Sequence, residues 1–282
     1  MQAVPVRRTE SQLLAPDGLS LHRRAWLPAS AERALLLVHG WAEHSGRYDE
    51  VGGWLAERGC AVHAYDQRGH GHSGGARGHV RAFDELLDDL GCVLEEVRRA
   101  EPRLPLFVLG HSLGGLVVAT FLVERAPALT GAILSGPVLA LPEGVSRGRI
   151  VAARWLRRLL PRLPMGSGVD PQGLSRDPEV VRRYLADPLV HRRMTVSLAS
   201  EILGAVPRTA AGAGRVGVPT LVLHGAEDPI CAPQGSRDFA AGLRAKGSAL
   251  QILPGLRHEI LNEPEREQVY RSMLDWMRLQ EA

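Results

Sequence analysis

Cysteine is scarce in this chain of 282 residues, and the three present, Cys60, Cys92 and Cys231, are an odd number with no short spacing between them. That argues against a disulfide framework or a cysteine-based zinc site as the basis of the fold. Aromatic residues are also few, at 5%, and no Lys/Arg-dense segment is interleaved with them, so nothing suggests a nucleic-acid partner. The formal net charge of +3 is small for the size, and the basic residues are nearly all Arg. No apolar run approaches the roughly 18 residues that a membrane helix needs. Met1 to Glu10 carries Arg7, Arg8 and Glu10 and has no apolar stretch of signal-peptide length. The expectation is a cytoplasmic protein, at most peripheral to a membrane. What the chain does have is 45% hydrophobic residues, enough at this length for one large domain to bury its own core.

The apolar residues fall into an alternating series of strands and helices. Two strand-like runs, Thr9–Leu14 and Leu19–Leu27, flank the turn Pro16-Asp17-Gly18 and predict a hairpin. The runs at 34–39, 60–66, 104–109, 131–135, 219–224 and 249–253 are continuous and apolar, as in strands buried on both faces. Helical patterns at 48–58, 79–100, 113–125, 234–245 and 264–279 lie between and after them. The pattern predicts an α/β fold with a mostly parallel eight-stranded sheet and helices on both faces. From 139 to 215 no strand is visible, only helical patterns and Pro/Gly breaks, too long a stretch for a simple crossover. The expected organisation is therefore a core in two parts, 1–138 and 216–282, interrupted by a helical cap over 139–215. Ligands in open α/β sheets bind at the carboxyl edge, which the cap would cover.

The pattern G-x-S-x-G occurs twice, at Gly110-His111-Ser112-Leu113-Gly114 and Gly71-His72-Ser73-Gly74-Gly75. It is a weak signal in a Gly-rich chain, and its surroundings decide. Ser112 follows the strand LFVLG and opens the helix LGGLVVATFLVER, the strand–serine–helix elbow that a nucleophile requires. The helix start also brings backbone N–H groups and positive dipole to the reacting carbonyl. Ser73 lies in a polar loop and reads as a turn residue.

A serine hydroxyl needs a neighbouring base, and around such an elbow the chain order is serine, acid, histidine. Beyond the cap only His224 and His258 remain. His224 ends an apolar strand and is expected to pack or bond locally. His258 lies in the loop after the last strand and is the expected base. Asp228, after the strand PTLVLH, is the expected acid that orients it, with Glu227 as the alternative. The oxyanion would be held by the backbone N–H of Leu113 and, from the loop after His39-Gly40, of Trp41.

Together, the segments His39-Gly-Trp-Ala-Glu-His-Ser-Gly-Arg-Tyr48, Asp66-Gln-Arg-Gly-His-Gly-His-Ser73, Gly110-His-Ser-Leu-Gly-Gly115, His224-Gly-Ala-Glu-Asp228 and Arg257-His258 resemble the monoacylglycerol lipase and lysophospholipase group of α/β-hydrolases, with an S33-like hydrolase domain. The resemblance spans nearly the whole chain, including Tyr184-Leu-Ala-Asp-Pro-Leu189, and departs at Trp41, where the family often carries a smaller residue. It implies hydrolysis of an ester joining one long acyl chain to glycerol, with no cofactor. It also implies a lipid ester held by an apolar channel under the cap and a polar pocket to which Glu43, Arg47 and Tyr184 contribute. Read without the resemblance, Glu43 and Arg47 form a pair fixing the oxyanion loop and Tyr184 anchors the cap. A lysophospholipase, a general carboxylesterase, an acyl transferase or perhydrolase using the same three residues, and a noncatalytic receptor on the same fold are the rivals.

Three features stand apart. Residues 149–162 place Val151, Trp155, Leu159, Ala152, Leu156 and Leu160 among arginines 149, 154, 157, 158 and 162. This basic amphipathic helix either makes transient contact with a membrane or micelle surface or covers the pocket with its apolar face. Cys231, three residues past Asp228, is expected near the alcohol side of the pocket or as an apolar filler. His70, His72 and His79 with Asp66 match no standard metal-ligand spacing, and no metal is expected.

Overall fold

The computed structural model describes residues 5–141, 148, 155–166 and 168–281. Eight strands build one sheet: β1 (Arg7–Leu14), β2 (Ser20–Leu27), β3 (Arg33–Val38), β4 (Cys60–Tyr65), β5 (Leu106–His111), β6 (Gly131–Ser135), β9 (Thr220–Gly225) and β10 (Ala249–Leu253). Their order across the sheet is β1-β2-β4-β3-β5-β6-β9-β10. The hairpin β1–β2 and its junction with β4 are antiparallel, and every other pairing is parallel.

The continuous apolar runs become strands because both sides of the sheet are covered. β3, β4, β5, β6 and β9 are buried at every position. Alternate residues enter opposite cores: Leu36, Val38, Val108, Leu134 and Val222 on one face, Leu35, Leu37, Leu109, Ile133 and Leu223 on the other. Helices α2 (Asp84–Ala100) and α3 (Leu113–Arg125) cover the first face through Leu90, Val93, Leu116 and Val117. Helices α1 (Asp49–Ala56) and α7 (Arg266–Glu281) cover the second through Leu55, Tyr270 and Met273. Each such side chain contributes on the order of 1.5–3 kcal/mol on leaving water. Helix α2 starts at Asp84 rather than at the expected His79. Glu201 accepts the Phe83 N–H at 2.5 Å and Glu85 accepts the Arg81 N–H at 2.8 Å, so these donors are held outside a helical turn.

Between β6 and β9 the chain leaves the sheet. This stretch holds β7 (Pro164–Met165), α4 (Pro178–Ala186), β8 (Met194–Thr195) and α5 (Val196–Ala211); helix α6 (Pro233–Gly242) follows β9. The expectation of no strand here is corrected by β7 and β8, which pair antiparallel as Pro164 with Thr195 and Met165 with Met194. A two-residue pairing is too short to show an alternating pattern. Helix α4 begins on a side-chain cap, Asp177 accepting from the Glu179 N–H, with Pro178 at its first position. Of the basic amphipathic segment, Arg149, Val151, Ala152 and Arg154 lie outside the described residues. Residues 155–159 are helical, and Trp155, Leu156, Leu159 and Leu160 are exposed, Leu159 at 77%. None of these four lines the cavity over the sheet, so in the described part the apolar face turns to solvent rather than covering the pocket. Among the described residues no helix is long and apolar enough to cross a membrane.

Candidate active site

The strand β5 runs straight into helix α3, and Ser112 is the residue at the corner. Its backbone sits at φ 52, ψ −116, a left-handed conformation that a non-glycine residue adopts only under constraint. The flanking glycines allow the corner. A Cβ on Gly110 would lie 2.4 Å from the Gly114 carbonyl oxygen, and one on Gly114 would lie 2.2 Å from the Val38 carbonyl oxygen. Helix and strand approach closely because neither position carries a side chain. Ser73, the other serine in the same pattern, is buried in a loop, where its hydroxyl donates to the Asp66 carbonyl at 2.5 Å and accepts the His22 N–H at 2.8 Å.

Asp228 and His258 come from the loops after β9 and β10, neighbouring strands at the end of the sheet. His258 Nδ1 lies 2.7 Å from Asp228 Oδ2, and both side chains are buried. The other carboxylate oxygen accepts the backbone N–H groups of Ile230 and Cys231 at 2.8 and 2.9 Å. Burial works against ionisation of Asp228, but these donors and two imidazoles hold its carboxyl well below the usual range. Burial would likewise lower the His258 pKa; the hydrogen bond to Asp228 and its charge outweigh it and raise the value above the ordinary one. Glu227, the alternative acid, is exposed and makes no side-chain bond to His258 among the described residues. Ser112 and His258 line the same cavity, yet no hydrogen bond joins Ser112 Oγ to His258 Nε2 among the described residues; the serine hydroxyl lies beside the Cys231 thiol. Burial, reinforced by the Asp228 charge, pushes that thiol well up and keeps it neutral.

The backbone N–H groups of Trp41 and Leu113 find no acceptor among the described residues, and both residues line the cavity beside Ser112. The loop carrying Trp41 is held from behind. Glu43 Oε1 accepts the Gly40 N–H at 2.6 Å and the Tyr48 hydroxyl at 2.6 Å, and Ala42 is bent to φ 68. Glu43 Oε2 lies 2.7 Å from Arg47 Nη1, and the same guanidinium grips both oxygens of Glu259 at 2.7 and 2.8 Å. Burial opposes charge on both carboxyls; Arg47 prevails and lowers their pKa values. One arginine thus ties the loop after β3 to the loop that bears His258. Glu43 and Arg47 do line the cavity, but their charged atoms are engaged with each other and with Glu259. Tyr184 stacks its ring 4.8 Å from the Arg47 guanidinium, and its hydroxyl has no protein partner among the described residues.

The cavity has a volume of about 620 Å³. Helix α5 presents Ala199, Ile202, Leu203 and Val206 to it, spaced as one face of a helix, and Val138, Leu141 and Ile230 add to the apolar lining. Its floor carries Ser112, His258 and the neutral imidazole of His111, whose pKa burial and His258 push down to about 4. Asp228, Cys231 and His258 offer donor atoms within 4.8 Å of one another, a spacing a metal could use. The Asp228 oxygens already accept four N–H groups, so hydrogen bonding accounts for the cluster. In the loop 66–79, Asp66 accepts from Ser45 and the His72 N–H, a structural knot.

At this site one residue escaped the sequence reading, and a second was read without its partner at Asp228. Glu259 had only its adjacency to His258 to mark it. His224, expected to bond locally, places Nε2 3.0 Å from Asp228 Oδ2; its four-residue spacing from Asp228 across a turn was the available signal.

Residues 29–265 match the family described as serine aminopeptidase, S33. A monoacylglycerol lipase of Mycolicibacterium smegmatis is 34% identical over 272 residues, covering 96% of this chain and 97% of that one. The mouse monoglyceride lipase is 34% identical over 254 residues, covering 89% and 84%. The crystal structure of Paleococcus ferrophilus monoacylglycerol lipase superposes with a TM-score of 0.84 at 35% identity, covering 92% of this chain and 99% of that one. With an eight-stranded sheet, a serine at the strand–helix corner and a family match over most of its length, this chain belongs to the serine aminopeptidase S33 family of α/β-hydrolases.

Proposed function

We propose that this protein hydrolyses esters of single-acyl lipids, monoacylglycerol foremost, giving glycerol and a free fatty acid through an acyl-enzyme on Ser112. The observation that carries this is the serine corner and the His258–Asp228 pair opening into one apolar-walled cavity. The names of the mycobacterial and mouse relatives point to the same substrate.

In this reading Ser112 Oγ turns from Cys231 towards His258 Nε2 as substrate enters, since catalytic hydrogen bonds often tighten only on binding. Oγ attacks the ester carbonyl carbon while His258 Nε2 takes its proton. The carbonyl oxygen becomes an oxyanion between the N–H groups of Trp41 and Leu113, each worth about 2.7–4 kcal/mol in the transition state. His258 then protonates the departing glycerol oxygen, and the C–O bond breaks. Water, deprotonated by the same imidazole, attacks the acyl-enzyme carbonyl; the bond to Ser112 Oγ breaks, His258 returns the proton to that oxygen, and the fatty acid leaves. Asp228 stays ionised and fixes the imidazole tautomer. Glu43 and Arg47 act by holding the oxyanion loop, and the Tyr184 hydroxyl, without a partner among the described residues, is the group suited to meet the glycerol. The acyl chain lies against the α5 face, under a cap formed by residues 139–215.

The family's description as a serine aminopeptidase suggests peptide substrates as a second reading. An aminopeptidase needs a carboxylate for the substrate ammonium, and Glu43 and Glu259 are both neutralised by Arg47. A specificity series tests the proposal: monoacylglycerols against diacylglycerols, lysophospholipids, p-nitrophenyl esters of increasing length and aminoacyl amides. Activity confined to short p-nitrophenyl esters would reduce it to a general carboxylesterase, and preference for lysophospholipids would replace it. The exposed Trp155, Leu156, Leu159 and Leu163 beside Arg158 and Arg162 suit peripheral contact with an anionic lipid surface. Flotation with anionic vesicles at low salt tests that contact, and no bound fraction removes it.

A further inference from the structure

His224 has no part in the steps above, yet it touches the carboxylate on which the base depends. It is fully buried near the end of β9, and a tight turn brings Asp228 back beside it. Its Nε2 lies 3.0 Å from Asp228 Oδ2 and 2.9 Å from the Cys231 carbonyl oxygen. Both are acceptors, so Nε2 carries the hydrogen. Its Nδ1 lies 2.7 Å from the Ser236 hydroxyl, which can donate to it. Every polar atom of a neutral ring is then satisfied.

The same Asp228 oxygen also meets His258 Nδ1 at 2.7 Å. Two imidazole N–H groups therefore compete for one oxygen, in a place where both Asp228 and His224 side chains are fully shielded from solvent. Whatever charge His224 draws is withheld from His258 when that ring becomes an imidazolium. We propose that His224 is a positioning residue for the reaction: it locks the Asp228 carboxylate onto His258 and tempers the basicity of His258 through the shared oxygen. This rests on the reading of Asp228 and His258 as acid and base. The proton of His224 stays in place throughout; the one that moves goes from Ser112 to His258 to the leaving oxygen. The other groups facing His258 are Glu259 and Glu43, with Arg47 neutralising both, the His111 ring at 4.9 Å and the neutral Cys231 thiol. Among the described residues none of these side chains bonds to the Asp228 carboxylate; Cys231 meets its other oxygen through the backbone N–H, so His224 is the one side chain that shares Oδ2 with His258.

The test is the pH profile of kcat/KM on a water-soluble ester for the wild type, His224→Leu and His224→Gln, with the low-field proton signal of His258 Nδ1–H as a second readout. Removing the competing donor in His224→Leu moves the acid limb to higher pH by about 0.5–1 unit and moves the proton signal. His224→Gln keeps an N–H for Oδ2 and returns both towards wild type. An acid limb unmoved in His224→Leu, even with lower thermal stability, overturns the proposal and leaves a packing residue. Should His224→Leu fail to fold, Ser236→Ala releases the far side of the ring: a smaller shift of the same sign supports the proposal, and none overturns it. Asp228→Asn runs in parallel. Wild-type activity there would remove the acid–base reading itself, a result distinct from a silent His224.

Discussion

Gly71–Gly75 and Gly110–Gly114 share one five-residue pattern, yet their serines end in opposite circumstances. The Ser73 hydroxyl is consumed by two hydrogen bonds to the backbone and holds β2 against the loop after β4. Among the described residues Ser112 bonds no backbone group with its side chain; it sits in a strained backbone conformation and faces a cavity. A loop serine satisfies its hydroxyl because nothing prevents it. A serine forced into a corner between strand and helix meets, among the described residues, only the weakly polar Cys231 thiol, a partner its hydroxyl can leave when an ester enters the cavity.

The sharpest way to break this contrast is to remove each hydroxyl. Ser112→Ala should cut ester hydrolysis by roughly 10⁶-fold with the melting temperature nearly unchanged; a loss under tenfold would mean that nucleophilic catalysis runs elsewhere. Asp228→Asn should cost about 10⁴-fold, because the wrong imidazole tautomer is favoured. The pH dependence follows from the raised His258 pKa: the base works only when neutral, so kcat/KM is full above that pKa and falls as pH drops through it. The wild-type acid limb should therefore lie above the ordinary imidazole value, and a midpoint below it would contradict the Asp228–His258 coupling.

Next in size is Glu259→Gln, which leaves Arg47 paired with Glu43 alone. Breaking one arm of a buried pair costs about 3 kcal/mol, read as a lower midpoint in urea, and activity should drop about tenfold as the oxyanion loop loosens. An unchanged midpoint would show that the bridge holds nothing. Ser73→Ala should be the mirror of Ser112→Ala: about 1–3 kcal/mol less stable, with turnover per folded molecule within twofold of wild type. If activity fell as Ser112→Ala does, the distinction between the two serines would collapse. The smallest effect belongs to Trp155→Ser with Leu159→Ser, which should leave hydrolysis of water-soluble esters intact and reduce only the fraction bound to anionic vesicles.

The sheet was legible because each buried strand is written as a run such as ALLLV or LFVLG, bounded by glycine or a turn. The corner at Ser112 was legible because strand, serine and apolar helix are contiguous in the chain. What the sequence hid were partnerships between distant residues. Nothing local distinguishes Glu259 from any acid beside a histidine, since its partner Arg47 lies 212 positions away. The start of α2 was misplaced for the same reason, as Glu201 in another helix decides where it begins. The exposed face of residues 155–160 illustrates a further limit: amphipathic spacing names an apolar side without saying what it faces.

The arginine that clasps both the early loop at Glu43 and the late loop at Glu259 has a consequence for biosynthesis. A ribosome delivers Arg47 long before Glu259, and the serine corner and its apolar walls are also made in advance of the base. On the proposed reading a nascent chain is inert until the segment with His258 and Glu259 emerges and docks, one event that would supply the imidazole and brace the loop after β3 together. On the proposed reading, a fragment that stops short of His258 should hydrolyse no ester, however well its serine corner folds.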